Sequence, residues 1–244
     1  MTTLVAGVDG CQPGWAVVLK DTAGRKPSEV MLCRTMAELL KHPKLPAMIA
    51  VDMPIGLPHR VGPGGRGPEA ELRTYLGERK ASLFSIPSRV AIYAEDFASA
   101  CEASLATSEP PRKISIQAYH LFPKIREIDE LIRADMGLSF ILRECHPEGA
   151  FMMMNNREPL SEPKKIKSAV NDAGISQRKK LLMEVAGFSE AFLASKPPRG
   201  VGLDDFIDAC ACAWVAEKLA RGQAISFPET PEKDAFDIPM AIWA

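Results

Sequence analysis

Two aspartates each close an uninterrupted apolar run: Asp9 ends LVAGVD and Asp52 ends AMIAVD. Runs of this kind read as buried strands, which puts both carboxylates at the carboxyl edge of a sheet. If the two strands are parallel neighbours, the acids stand side by side where open α/β sheets bind ligands. Adjacent carboxylates repel and are expensive to desolvate, so something positive is expected between them. A hard divalent cation such as Mg²⁺ is the simplest candidate, since it takes oxygen ligands and needs few from the protein.

More acid lies in LDDFIDACACAWVAEKLARG, residues 203 to 222, a helix by its length, its small residues and its Gly222 stop. Asp205 and Asp208 are three apart and share a face, as do Asp204 and Asp208, four apart. Asp204 and Asp205 have a ready structural use, one as the cap and the other at the positive end of the helix dipole. Asp208 resists that explanation. It sits between Ile207 and Ala209 in a helix apolar enough to pack on a sheet, and an acid on a packing face is usually partnered or functional.

The elements that must position these acids are legible in outline. LVAGVD, WAVVLKD and EVMLCRT are β-branched, apolar and separated by Gly/Pro/Asp turns, which predicts a three-stranded meander. MAELLKHP reads as a helix ending at Pro43, and AMIAVDMPIGLP as the next strand. A helix between strands three and four implies a right-handed crossover and a parallel partner strand. PHRVGPGGRGP is a loop, EAELRTYLGERKA a helix, and SLFSIPSR a turn or short strand. Residues 91 to 106 and 114 to 136 have helical composition, the second with Ile125, Ile128, Leu131 and Ile132 at helical spacing. LSFILREC is the fifth strand candidate, residues 155 to 177 form a polar Lys-rich surface excursion, and QRKKLLMEVAGF reads as a short helix.

The 244 residues fit one large domain or two small ones, and 46% hydrophobic content is enough for a sizeable core. With 30 Lys+Arg against 31 Asp+Glu, no overall basic field advertises nucleic acid or an anionic membrane surface, so any polyanion site has to be local. Cysteines at 11, 33, 101, 145, 210 and 212 show neither a CxxC pair nor zinc spacing. They read as reduced thiols. MTTLVAGVDG lacks the basic segment and the length of a signal peptide, and no segment approaches a membrane span, so the expectation is a cytoplasmic protein without a membrane partner. A homodimer is left open.

GVDGCQPGW, VDMPIGLP, RECHPE and DDFIDACACAW, in that order over residues 5 to 228, with LGERKASLFSIPSR between them, resemble the bacterial family catalogued as unknown-function family 429. That family is grouped with ribonuclease H-like folds and described as predicted nucleases. The resemblance implies an α/β fold: a five-stranded mixed sheet of order 3-2-1-4-5, the first three strands antiparallel, with helices on both faces. On this reading the chain is one domain with an insertion around residues 58 to 136. It further implies that Asp9 matches the first-strand aspartate that ligates both metals, that Asp52 takes the place of the fourth-strand acid, and that Asp205 and Asp208 resemble the final-helix pair of the resolvase type. Glu144 and Glu148, in RECHPEGAF, are distinctive of the family, and either can reach the acidic edge from the fifth strand. His146, beside Glu144, is a candidate for proton relay or substrate positioning, or a satisfied structural residue.

The implied chemistry is phosphodiester hydrolysis with two Mg²⁺ or Mn²⁺ ions roughly 3.5 to 4 Å apart, with nucleic acid as the partner. Two basic groups, Arg60, Arg66, Arg73, Arg79, Lys80 and Arg89, then Lys164, Lys165, Lys167, Arg178, Lys179 and Lys180, serve either to neutralise phosphates or as ordinary solvated surface. Two other readings stand beside this one. GVDGCQPGW also resembles the first phosphate loop of sugar kinases and actin-like ATPases, although the chain has room for one such domain and offers VDMPIG where those proteins carry a second Asp-x-Gly loop. The third reading is a non-catalytic scaffold that keeps the fold and binds a protein partner through its loops.

Overall fold

In the computed structural model, residues 3–43, 45–167 and 169–244 are described. β1 (Leu4–Cys11), β2 (Gly14–Asp21) and β3 (Glu29–Cys33) form the antiparallel meander, and α1 (Met36–Leu40) leads to β4 (Met48–Asp52). β4 pairs parallel to β1 with Asp9 opposite Asp52. The segment between β4 and β5 carries α2 (Gly67–Tyr75), α3 (Arg89–Ile92), α4 (Phe97–Thr107), α5 (Ile116–Tyr119) and α6 (Phe122–Ala134), with 3₁₀ turns at Gly77–Ser82 and Met136–Phe140. β5 (Leu142–Glu144) pairs parallel to β4 and completes a mixed sheet of order β3-β2-β1-β4-β5, the ribonuclease H-like arrangement. α7 (Pro147–Met154), a small hairpin of β6 (Lys165–Ile166) and β7 (Ala169–Val170), α8 (Asp172–Glu184), α9 (Glu190–Ala194) and α10 (Leu203–Ala220) follow, and the hairpin β8 (Ser226–Lys233) and β9 (Pro239–Trp243) comes last.

Strand alternation assigns each residue to one of two cores. Ala6, Val8, Ile49 and Val51 face one side, where Met36 and Leu39 of α1 and Ile125, Ile128 and Ile132 of α6 pack on them. Val5 and Ala50 face the other side, which is covered by α10, α7 and α8. Asp9 and Asp52 have the parity of Val5 and Ala50, so both carboxylates rise on the face that α10 covers. α10 can settle there because β1 has a glycine beneath it. A Cβ on Gly7 would lie 2.0 Å from the backbone nitrogen of Ala213 and 2.1 Å from the carbonyl of Ala209.

Several expectations need correction. The stretch over residues 91 to 106 is divided, with Asp96 capping α4 by accepting a hydrogen bond from the Ser99 amide at 2.7 Å. The stretch over 114 to 136 is divided too, since Pro123 in the first turn of α6 suits a new helix start. Of LSFILREC only Leu142–Glu144 is strand, and Leu138 to Phe140 belong to the 3₁₀ turn before it. α7, α9, the β6–β7 hairpin and the start of α8 within the expected excursion of residues 155 to 177, and the final hairpin were not foreseen: α7 is apolar nearly throughout and lacks an amphipathic stripe, and β8 is broken by Pro228 and Pro231. Among the described residues no helix is long and apolar enough to cross a membrane, and all six cysteines are free and buried.

Gly7→Ala is expected to destabilise the protein by about 2 kcal/mol or more, because two backbones must separate. Gly67→Ala, where a Cβ meets nothing within 4 Å, is expected to stay within about 0.5 kcal/mol of the parent in the same urea titration. Equal losses in the two variants would remove the close packing from its role.

Candidate metal centre

β1, β4 and α10 each deliver one carboxylate to the same point. One oxygen from each of Asp9, Asp52 and Asp208 lies within 4.8 Å of the other two. Asp9 is 8% exposed and Asp208 1%. Asp9 Oδ1 accepts a hydrogen bond from the Gly10 amide at 2.7 Å. Burial, followed by the charges of Asp52 and Asp208, raises the Asp9 carboxyl well above the carboxylate range. Burial and Asp208 push Asp52 up to about 7, against an ordinary value of 3.8.

Lys164 answers part of this charge. Its ammonium is ion-paired to Asp208 Oδ2. Burial acts to lower the Lys164 value, but the Asp208, Asp9 and Asp52 carboxylates outweigh it and hold the group above its ordinary value. The surface excursion that brings Lys164 here is pinned by α8. The Asn171 amide donates to the Lys164 carbonyl at 3.0 Å, and Arg178 Nη1 donates to the Glu162 carbonyl at 2.9 Å. Arg178, fully buried, also binds Glu148 Oε1, so one guanidinium ties α7, α8 and the lysine-bearing loop together.

The remaining candidates separate into different environments. Val51 pairs in register with Glu144, so Glu144 leaves β5 on the face opposite Asp52. There it accepts hydrogen bonds from the Ile55 amide at 2.7 Å and from Arg66 Nη2 at 2.5 Å. Burial raises Glu144 to about 7 against the opposing pull of Arg66. Arg66 also donates to the Ile55 and Gly56 carbonyls at 2.9 and 2.8 Å and binds Glu69, which fixes the backbone that follows Asp52. Glu148, in the first turn of α7, keeps its Oε2 buried and without a hydrogen-bond partner. His146 is the N-cap residue of α7; its Nδ1 is buried and unpartnered, and burial lowers its value, so the imidazole is neutral at pH 7. Asp205 lies outside the close group of three and accepts from the Gly202 amide at 3.0 Å as a helix cap, while Asp204 binds Lys165 at 2.5 Å.

These residues open onto a cleft of about 340 Å³. Asp9, Asp52, Asp208, Lys164, Glu144, His146 and Glu148 line its polar side, and Met53, Leu83, Phe84, Ile86, Leu121 and Ile242 its apolar side. The set suits a hard divalent cation: it offers three hard oxygen donors on rigid elements, and Asp208 Oδ1 is buried without a hydrogen-bond partner. After Lys164 the cluster still has an excess of acid.

A family model described as "Protein of unknown function (DUF429)" matches residues 7–233. The chain belongs to that family. The match spans all three aspartates, Lys164 and the RECHPE segment. No curated protein and no solved structure matches the chain. Sequence reasoning placed Asp9, Asp52 and Asp208 of this DUF429 member but read Lys164, Arg66 and Arg178 as phosphate contacts or solvated surface, whereas all three answer carboxylates of the chain itself; the one available signal was that a buried acid needs a cation.

Asp9 and Asp52 bind protons in the folded state at pH values where the unfolded chain has released them. The cluster therefore subtracts from stability as pH rises from about 4 through about 7. Asp52→Asn is expected to raise the metal-free melting temperature at pH 8 by at least about 2 °C, equivalent to about 1 kcal/mol, and to flatten the decline between pH 5 and pH 8. Mn²⁺ is expected to stabilise the parent more at pH 8 than at pH 5.5, because it binds the ionised carboxylates. An unchanged pH profile in the variant would separate Asp52 from the effect.

Proposed function

We propose that this protein hydrolyses phosphodiester bonds in nucleic acid, with Asp9, Asp52 and Asp208 holding Mg²⁺ or Mn²⁺ at the carboxyl edge of the sheet. The observation that carries this reading is the convergence of three carboxylates, one oxygen of each within 4.8 Å of the other two, at a cleft where Asp208 also keeps its Oδ1 buried and unpartnered. A bound divalent ion supplies Lewis-acid activation of water and stabilisation of a developing oxyanion. All other steps fall to the chain's own residues. Asp9 and Asp52 stand on adjacent strands and need no rearrangement to act together. His146 lines the cleft as a neutral imidazole whose buried Nδ1 has no competing partner, which suits it to relay a proton once a neighbouring group approaches. Glu148 is oriented by Arg178 at the cleft wall, its second oxygen buried and without a partner. Glu144 acts at one remove, through its grip on the Ile55 amide and Arg66.

The apolar wall suits a nucleoside better than a bare phosphate. Phe84 is 41% exposed at the cleft and offers a face on which a base can stack. Of the basic residues, Arg66, Arg89 and Arg178 are engaged in ion pairs within the protein, which leaves Arg60, Lys80 and Lys167 among the exposed groups for phosphate contact.

The test is cleavage of labelled single-stranded, duplex, hybrid and branched nucleic acids in the presence of Mn²⁺. At least one class is expected to be cut, with Asp9→Asn slower by at least about a hundredfold. Absence of cleavage on every substrate by protein that has bound Mn²⁺ would overturn the proposal.

A further inference from the structure

The acidic centre already contains a cation. Lys164 pairs with Asp208 Oδ2, its side chain only 32% exposed, and Asp9 and Asp52 reinforce the attraction. Its position is built in. The Asn171 side chain donates to the Pro163 carbonyl at 2.9 Å, and Gly174 admits that same carbonyl where a Cβ would lie 2.0 Å from it.

The neighbouring acids are committed elsewhere. Asp205 caps α10 through the Gly202 amide at 3.0 Å, and Asp204 is bound to Lys165. Glu148 is held by Arg178, and Glu144 by Arg66 on the other face of the sheet. Among the three carboxylates at the centre, Asp208 Oδ1 is the oxygen that is buried without a partner.

We infer that this centre takes a single divalent ion and that the Lys164 ammonium serves as its second cation. The inference rests on the phosphodiester reading for its purpose, though not for its measurement. The charge count favours it: ionised to bind the ion, the three carboxylates carry three negative charges, and one divalent ion with one ammonium returns three. A second divalent ion added to these would leave two uncompensated positive charges in a largely buried site. Paired catalytic ions sit roughly 3.5 to 4 Å apart, and each needs donors beyond any carboxylate they share. Here Asp208 Oδ2, the oxygen a second ion would need, is occupied by Lys164. A fixed ammonium at this point neutralises Asp208 and leaves a positive group facing an incoming phosphate.

The experiment is a Mn²⁺ titration that counts bound ions per chain, with free Mn²⁺ read by electron paramagnetic resonance, on the parent, Lys164→Arg and Lys164→Met. One ion is expected for the parent and for Lys164→Arg. Two are expected for Lys164→Met, where Asp208 regains a free oxygen. Two ions on the parent, none on the parent, or one on both the parent and a folded Lys164→Met would each overturn the inference. Should Lys164→Met fail to fold, the parent count still decides. One bound ion without cleavage of any nucleic acid would sink the phosphodiester reading and leave the ion count standing, whereas two bound ions with cleavage would do the reverse.

Discussion

At Gly7 the backbone of β1 meets the backbone of α10, and the placement of the acids follows from that contact. A strand and a helix approach this closely only where no side chain stands between them, and the small residues Ala209 and Ala213 complete the seam. Gly7 lies two residues before Asp9, on the same face, and Asp208 directly precedes Ala209. Packing that seam therefore carries Asp208 to the strand edge. Asp52 arrives separately, through the parallel register of β4 against β1. Apolar packing thus sets the position of three like charges that would not come together unaided.

Electrostatic compensation is distributed among three cations placed around the cluster. Arg66 answers Glu144 and Glu69, Arg178 answers Glu148, and Lys164 answers Asp208. Each also holds the chain in place: Arg66 the segment after β4, Arg178 the Glu162 carbonyl two residues before Lys164, and Lys164 its own loop against α10. Buried pairs of this kind add little net stability but make the geometry specific, since losing either partner strands a charge. What remains unanswered, with Asp9 and Asp52 holding protons well above the ordinary carboxylate range, is a demand for one more cation.

The strand-end position of Asp9 and Asp52 was legible because their strands are uninterrupted apolar runs, and the parallel pairing followed from the helix between strands three and four. Asp208 could be singled out for its place inside an apolar helix. The cations could not. Lys164 lies in a polar loop whose composition predicts solvent exposure, and only the tertiary contact of that loop with α8 turns the lysine inward. Arg178 falls among Lys179 and Lys180, and its burial depends on a partner thirty residues earlier in the chain, which no local pattern encodes. Asp205 shows the converse: its spacing from Asp208 is right for a shared site, and the local demand of a helix N-terminus claims it first. Boundaries in the region between β4 and β5 were lost for a similar reason, short helices there being fixed by caps and packing more than by periodicity.

The identity of the central group as a metal site is open to direct observation by growing crystals in Mn²⁺ and locating the ion from its anomalous scattering. A single peak in contact with oxygens of Asp9, Asp52 and Asp208, at about 2.0 to 2.6 Å as for hard divalent cations and with Lys164 still beside Asp208, is the predicted result. A map with no peak among these carboxylates at saturating Mn²⁺, or with the ion bound by other residues, would contradict it.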